Sequence, residues 1–245
     1  MPTNFSTSIF GTQASVDDLF VTADSFRQGT LFTWGSNAYG QIGDNTTTNR
    51  STPVTTLAGG TNWKQVSCGQ YHTAAIKTDG TLWTWGNNSL FGLSLGDNTT
   101  TDRSTPVTTF AGGTNWKQVS CGGIFTAAIK TDGTLWTWGA ANNGQLGDNT
   151  TTRRSTPVTT FAGGTNWKQV SNGNFHTSAI KTDGTLWVWG FSSLGRLGDN
   201  TTTNRTTPVT TFAGGTNWKQ VSSLGSGGST LIGGIAALTY IDDYQ

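Results

Sequence analysis

The chain repeats itself, and this limits its fold more than any other feature. The phrase "KQVSCGQYHTAAIKTDGTLWTWG", Lys64 to Gly86, recurs almost letter for letter from Lys117 and again from Lys168. "PVTT" segments begin at Pro53, Pro106, Pro157 and Pro208, spaced 53, 51 and 51 residues apart. A period of this length means that one supersecondary unit has been copied, and each copy needs its neighbours to bury its apolar surface. The two extra residues of the first interval lie in "NNSLFGLSLGDN", 87–98, a Gly/Asn-rich segment where an insertion marks a loop.

Within a unit the apolar period is two. In "TLWTWG" Trp83 and Trp85 point to one side of a strand, Leu82 and Thr84 to the other. "KTDGT" carries the Asp-Gly pair that favours a tight hairpin turn, because its central residues tolerate positive φ. "AGGTN" is a second turn signal. One unit parses as "PVTTL", a turn, "NWKQVS", a turn, "HTAAIK", the TDG turn and "TLWTW": four antiparallel strands in about 51 residues. Such a sheet must stack on its neighbours, and four strands per unit is the mark of a propeller blade. The expected mortar between blades is Trp34, Trp63, Trp83, Trp85, Trp116, Trp136, Trp138, Trp167, Trp187, Trp189 and Trp218.

Composition narrows the function classes. Fourteen Lys plus Arg against thirteen Asp, with no Glu, give a net charge of +1, which exerts no pull toward nucleic acid or an anionic membrane. The longest apolar stretch, "LIGGIAALTYI", is too short to cross a bilayer. The N-terminal "MPTNFSTSIFGTQASV" shows no secretory signal pattern. Cys68 and Cys121 share one repeat position, where later copies have Asn172 and Ser223, so the slot wants a small residue rather than a disulfide.

"VSCGQYHTAAIKTDGTLWTWGNN", followed by "GQIGDN" or "GQLGDN", resembles the RCC1 repeat over roughly Gly29 to Ser222. The resemblance implies an all-β fold: an RCC1-like β-propeller of four repeats, each about 51 residues and four strands. The family's best-known member is a chromatin-bound exchange factor for a small GTPase, with more blades. Only four units and no basic tail occur here, so the fold carries over and the exchange activity does not. Residues 1–15 form a non-repeat segment, 16–224 the propeller and 225–245 a Gly-rich closing or docking segment.

Four units leave two closures open. A ring of about seven blades turns about 51° per blade, a ring of four about 90°. "DLFVTADSFRQGTLFTWG", Asp18 to Gly35, reads as a hairpin standing in for "HTAAIKTDGTLWTWG", with the C-terminal apolar run as closing strands beside it. This favours a small self-contained ring; the competing picture is an open arc completed by another subunit.

Residues present in every copy read as structural, and the internal comparison removes most candidates for chemistry. Asp79, Asp132 and Asp183 are turn residues; Asp44, Asp97, Asp148 and Asp199 in "GDNTTT" each offer one carboxylate where a Ca²⁺ site gathers several. His72 and His176 share their slot with Phe125, which marks packing. Gly92-Leu93-Ser94-Leu95-Gly96 matches a hydrolase pattern but lacks the strand-to-helix context, and corresponds to the GQIG turn of other copies. No catalytic, cofactor or metal residue is assigned. The N-T-T tripeptides from Asn45, Asn98, Asn149 and Asn200 read as polar loop rather than glycosylation sites.

The copies differ in two stretches: the turn after "QVS" and the loop after "WG". In an up-down meander both emerge on one rim, with the uniform TDG and AGGTN turns opposite. Tyr39, Tyr71, Phe91, Ile124, Phe175, Phe191 and Leu194 are its candidate binding residues. The expectation is a non-enzymatic structural or recognition module whose partners are other protein subunits, in an assembly or homo-oligomer, or a surface glycan. Nucleic acid and a membrane span are excluded. Near-identical copies and a Thr/Asn/Gly-rich surface suit a bacteriophage virion component, a capsid decoration or tail appendage, or a cell surface. A regulatory exchange-factor role and a glycan-active enzyme are the alternatives.

Overall fold

Alternating apolar positions between Asp-Gly turns produce strands and little else. The computed structural model describes residues 29–89, 92–224 and 234–240. The first strands are β1 (Phe32–Gly35), β2 (Arg50–Thr55), β3 (Trp63–Cys68), β4 (His72–Lys77), β5 (Leu82–Gly86) and β6 (Arg103–Thr108). The motif continues with β7 (Trp116–Cys121), β8 (Phe125–Lys130), β9 (Leu135–Gly139), β10 (Arg154–Thr159), β11 (Trp167–Asn172) and β12 (His176–Lys181). It ends with β13 (Leu186–Gly190), β14 (Arg205–Thr210), β15 (Trp218–Ser223) and β16 (Ile235–Thr239). At each TDG turn the Asp79-type carboxylate accepts hydrogen bonds from the N–H and hydroxyl of the next Thr, as at Thr81 (2.9 and 2.7 Å).

These strands form four-stranded antiparallel sheets β3-β4-β5-β6, β7-β8-β9-β10 and β11-β12-β13-β14, with two-stranded sheets β1-β2 and β15-β16 at the ends. Sheet and repeat are therefore offset by one strand. "PVTT" does not pair with the "NWKQVS" that follows it, as the sequence parse has it. It pairs with the preceding "TLWTW", for example Thr84 opposite Val107. The AGGTN turn consequently joins neighbouring sheets instead of closing a hairpin, and "WKQVS" becomes the first strand of each sheet.

Stacking seals the sheets. Ala74, Ile76 and Leu82 of one sheet pack against Trp116, Val119, Ala128 and Trp138 of the next. Ala127, Ile129 and Leu135 repeat the contact with Trp167, Val170, Ala179 and Trp189. Within a sheet Trp63 meets Trp83 and Trp85 edge-on at 6.4 and 6.2 Å, and the Lys77 ammonium lies 4.8 Å from the centres of the first two rings. Trp85, Trp138 and Trp189 are fully buried, but Trp34, which the sequence groups with them, is 61% exposed. It stands on the two-stranded sheet β1-β2, and among the described residues no sheet precedes this one to cover it.

Among the described residues the ends do not meet: β16 and β1 do not pair with each other, and the architecture is an open arc rather than a ring of four. The segment 18–28 of the expected N-terminal hairpin lies outside the described residues, whereas part of the C-terminal apolar run forms β16 on β15.

Candidate functional site

The variable stretches sit where strand direction puts them. The turn 69–71 joins β3 to β4 and the loop 87–102 joins β5 to β6, so both leave the same end of the sheet. The TDG turns and AGGTN connections lie at the other end.

Each loop is anchored beneath its variable tip. Asn37, fully buried, donates through Nδ2 to the Thr46 and Thr48 carbonyls at 3.0 and 3.1 Å and accepts from the Ile42 N–H at 2.9 Å. Asp44, Asp97, Asp148 and Asp199 pair with Arg50, Arg103, Arg154 and Arg205 at 2.6–3.1 Å. Burial raises the pKa of Asp44 and of Asp199, but hydrogen bonds from the neighbouring Thr and Arg outweigh it and hold both carboxyls below their usual range. Asp102 accepts the Asn88 and Ser89 N–H groups at 2.6 and 3.0 Å. Every described Asp is thus tied into a turn or a loop.

The loop then dips between sheets as a cradle for the next indole. Trp85 Nε1 donates to the Gln41 carbonyl at 2.9 Å, Trp138 to that of Ser94 at 2.8 Å and Trp189 to that of Gln145 at 2.9 Å. A Cβ on Gly43, at φ +80°, would lie 2.7 Å from Trp85 Nε1, so only glycine fits. Ser94 of the hydrolase-like pattern is buried, and its carbonyl also accepts the Thr126 hydroxyl at 2.9 Å. It belongs to this cradle.

At the rim, the geometry brings together Tyr39 and Tyr71, with ring centres 5.3 Å apart and edge to face. Phe175 and Phe191 pair at 6.4 Å, and the Arg196 guanidinium lies 4.6 Å from the centre of the Phe191 ring. Ile124 is half-buried, Leu194 is exposed with φ +64°, and Phe91 lies outside the described residues. His72 and His176 lie beneath this surface, fully buried; burial lowers both to about 4, helped at His176 by the charge of Arg196. His72 Nε2 pairs with the Thr126 hydroxyl of the next sheet at 2.8 Å. These imidazoles are neutral joint residues.

Two features escaped sequence reasoning. Leu57, Phe110, Phe161 and Phe212 follow the outermost strands at the opposite rim and are all exposed; their recurrence at one repeat position was the available signal. The second is a clasp between first strands. Gln65 donates to the Val119 carbonyl and accepts its N–H, each at 3.0 Å; Gln118 treats Val170 and Gln169 treats Val221 in the same way at 3.0–3.2 Å. A Gln in a strand reads as solvent-facing, and only its presence in every "WKQVS" pointed to a role. Among the described residues no helix is long and apolar enough to cross a membrane, and no cluster of three or more His, Cys or Asp residues could hold a metal ion.

Comparison with known proteins places these features. The Regulator of chromosome condensation (RCC1) repeat family matches residues 28–76, 79–129, 132–180 and 183–230. The Ultraviolet-B receptor UVR8 of Arabidopsis thaliana is 34% identical over 185 residues, 74% of this chain and 42% of the receptor. The structure of human WBSCR16 superposes with a TM-score of 0.69 at 25% identity, covering 81% of this chain and 52% of that one. Prp20p of Saccharomyces cerevisiae, a structure described with its binding to Gsp1p and histones, gives 0.70 at 18% identity over 88% of this chain and 53% of its own. The match thus covers 42–53% of the length of each of these three proteins.

Proposed function

Because the chain belongs to the RCC1-repeat family, we propose that it is a non-enzymatic recognition module that binds another protein through the variable rim. One observation carries this reading: the copies are near-identical everywhere except in turns and loops that leave one end of every sheet. A fixed scaffold with one diversified surface is how binding loops are carried. The aromatic pairs Tyr39–Tyr71 and Phe175–Phe191 supply rigid amphipathic area of the kind enriched at protein contacts. The binding of Prp20p to Gsp1p and histones supports a protein over a glycan. An exchange-factor role has no feature of its own in this chain. The setting we propose is an assembly such as a virion, in keeping with the Thr/Asn/Gly-rich polar surface.

A photo-cross-linking residue at Leu194 on the variable rim, compared with one at Phe161 on the opposite rim, tests this. A defined protein partner should be captured from Leu194 and not from Phe161. Capture from Phe161 alone would transfer the function to the other rim. Glycan-array binding abolished by Tyr71→Ala together with Phe191→Ala would replace the protein by a sugar.

A further inference from the structure

Each joint in the arc has a giving side and a receiving side, and the two ends carry one unused side each. The glutamine clasp shows this first. Gln65, Gln118 and Gln169 each grip the valine of the next sheet, while Gln220 on β15 is exposed with nothing to grip among the described residues. Val66 on β3, the equivalent of Val119 and Val170, is clasped by no glutamine among the described residues. Val66 is 45% exposed where both equivalents are 2%.

The indole cradle is unused in the same sense. A Cβ on Gly43, Gly96 or Gly147 would strike the indole of Trp85, Trp138 or Trp189 at 2.7–2.8 Å. The equivalent Gly198 has nothing within 4 Å of that position among the described residues. Beside it lies a cavity of about 420 Å³, lined among others by Val188, Leu197, Trp218, Ile235 and Ala237. At the other end Trp34, the equivalent of those three indoles, is the exposed one. The aliphatic contact is missing likewise: Leu238 on β16, in the register of Ile76, Ile129 and Ile180, is 60% exposed where all three are 0%.

The two-stranded end sheets are complementary halves of one blade. β15 and β16 reproduce the first and second strands of a sheet, in the register Val221↔Ala237 that matches Val66↔Ala75. β1 and β2 reproduce the third and fourth, in the register Thr33↔Val54 that matches Thr84↔Val107. Only the central pairing is absent. In the complete sheet it sets Ala74 opposite Thr84, and by repeat equivalence it would set Ala236 opposite Thr33.

We propose that β16 of one copy pairs with β1 of a second copy, so that Trp34 fills the cavity over Gly198 and Gln220 clasps Val66 across the junction. The surface is heterologous, one end against the other, and two such junctions close a ring. Two copies hold six complete sheets and two composite ones, a total of eight blades, within the usual propeller range of about 4 to 8. The second copy is the occupant that the arc fits, because each end sheet supplies the two strands that the other lacks, in matching register. The interface continues the joints already present inside the chain, and it leaves the variable rim open.

The test uses the full chain with Cys68 and Cys121 replaced by serine, the residue already present at the equivalent Ser223. One preparation carries Thr33→Cys and the other Ala236→Cys. Directly opposed strand residues lie about 4.5–5.5 Å apart at Cα, within disulfide reach. Mixing under mild oxidation should link one chain of each kind, and the double variant T33C/A236C should give a doubly linked pair of chains. In sedimentation the wild-type chain should reach twice its own mass as concentration rises. Trp34→Ala should raise the dissociation constant about thirtyfold or more, while leaving the unfolding midpoint of the dilute single chain unchanged. A disulfide closed within one chain, no disulfide at all, or a saturating mass other than that of two chains would overturn the proposal.

Discussion

His72 and His176 occupy the slot that Phe125 fills in the middle copy, and burial keeps both imidazoles neutral with pKa lowered to about 4. The folded pKa lies below the unfolded value, so acidification protonates the unfolded chain first. Stability from the neutral rings is complete above about 6.5, drains away as pH falls toward about 4, and levels off below. The double variant H72F/H176F should remove this loss, which is up to about 3 kcal/mol per histidine, as read from urea midpoints at neutral and mildly acid pH. The depressed carboxyls Asp44 and Asp199 lose their contribution only at lower pH, as they protonate, so they do not blur the comparison. Gly43→Ala should act through sterics. Its Cβ meets the Trp85 indole at 2.7 Å from a backbone at φ +80°, and a loss of about 3 kcal/mol is expected in the same unfolding measurement.

At the scale of strands and joints, the glutamine clasp separates interior from end. Gln118→Ala leaves the Val170 N–H and carbonyl without their partner inside a sealed joint, and should cost about 1–3 kcal/mol by denaturant unfolding. Gln220→Ala removes a side chain that is exposed in the single chain, and should stay within about 0.5 kcal/mol when the protein is dilute. The strands themselves were legible, because period-two alternation and Asp-Gly turns are local signals: "HTAAIK" and "TLWTW" pair across the TDG turn as read. The partner of "PVTT" was not legible. A Thr/Val strand between two loops carries no local mark of which neighbour it joins, and the sheet settles this through the packing of the loop that dips beneath it. The rim followed from strand direction alone, but the pairing of Tyr39 with Tyr71 depends on two adjacent sheets and has no sequence signature.

For the molecule as a whole, a single joint repeated along the chain accounts for the arc, its exposed ends and the position of the variable rim. Ring closure was the least legible property, because the angle between blades is set by side-chain volumes in the joint and not by the repeat length. The joint makes one claim above the others: each indole of the Trp85 type is locked by the loop of the preceding repeat. Hydrogen exchange at the indole N–H groups, followed by nitrogen-resolved NMR on dilute protein, tests it most directly. Trp85, Trp138 and Trp189, bonded to buried carbonyls at 2.8–2.9 Å, should exchange only through opening of the stack, while Trp34 exchanges freely. If those three exchanged as fast as Trp34, the sheets would not be stacked through their tryptophans, and the account would fail.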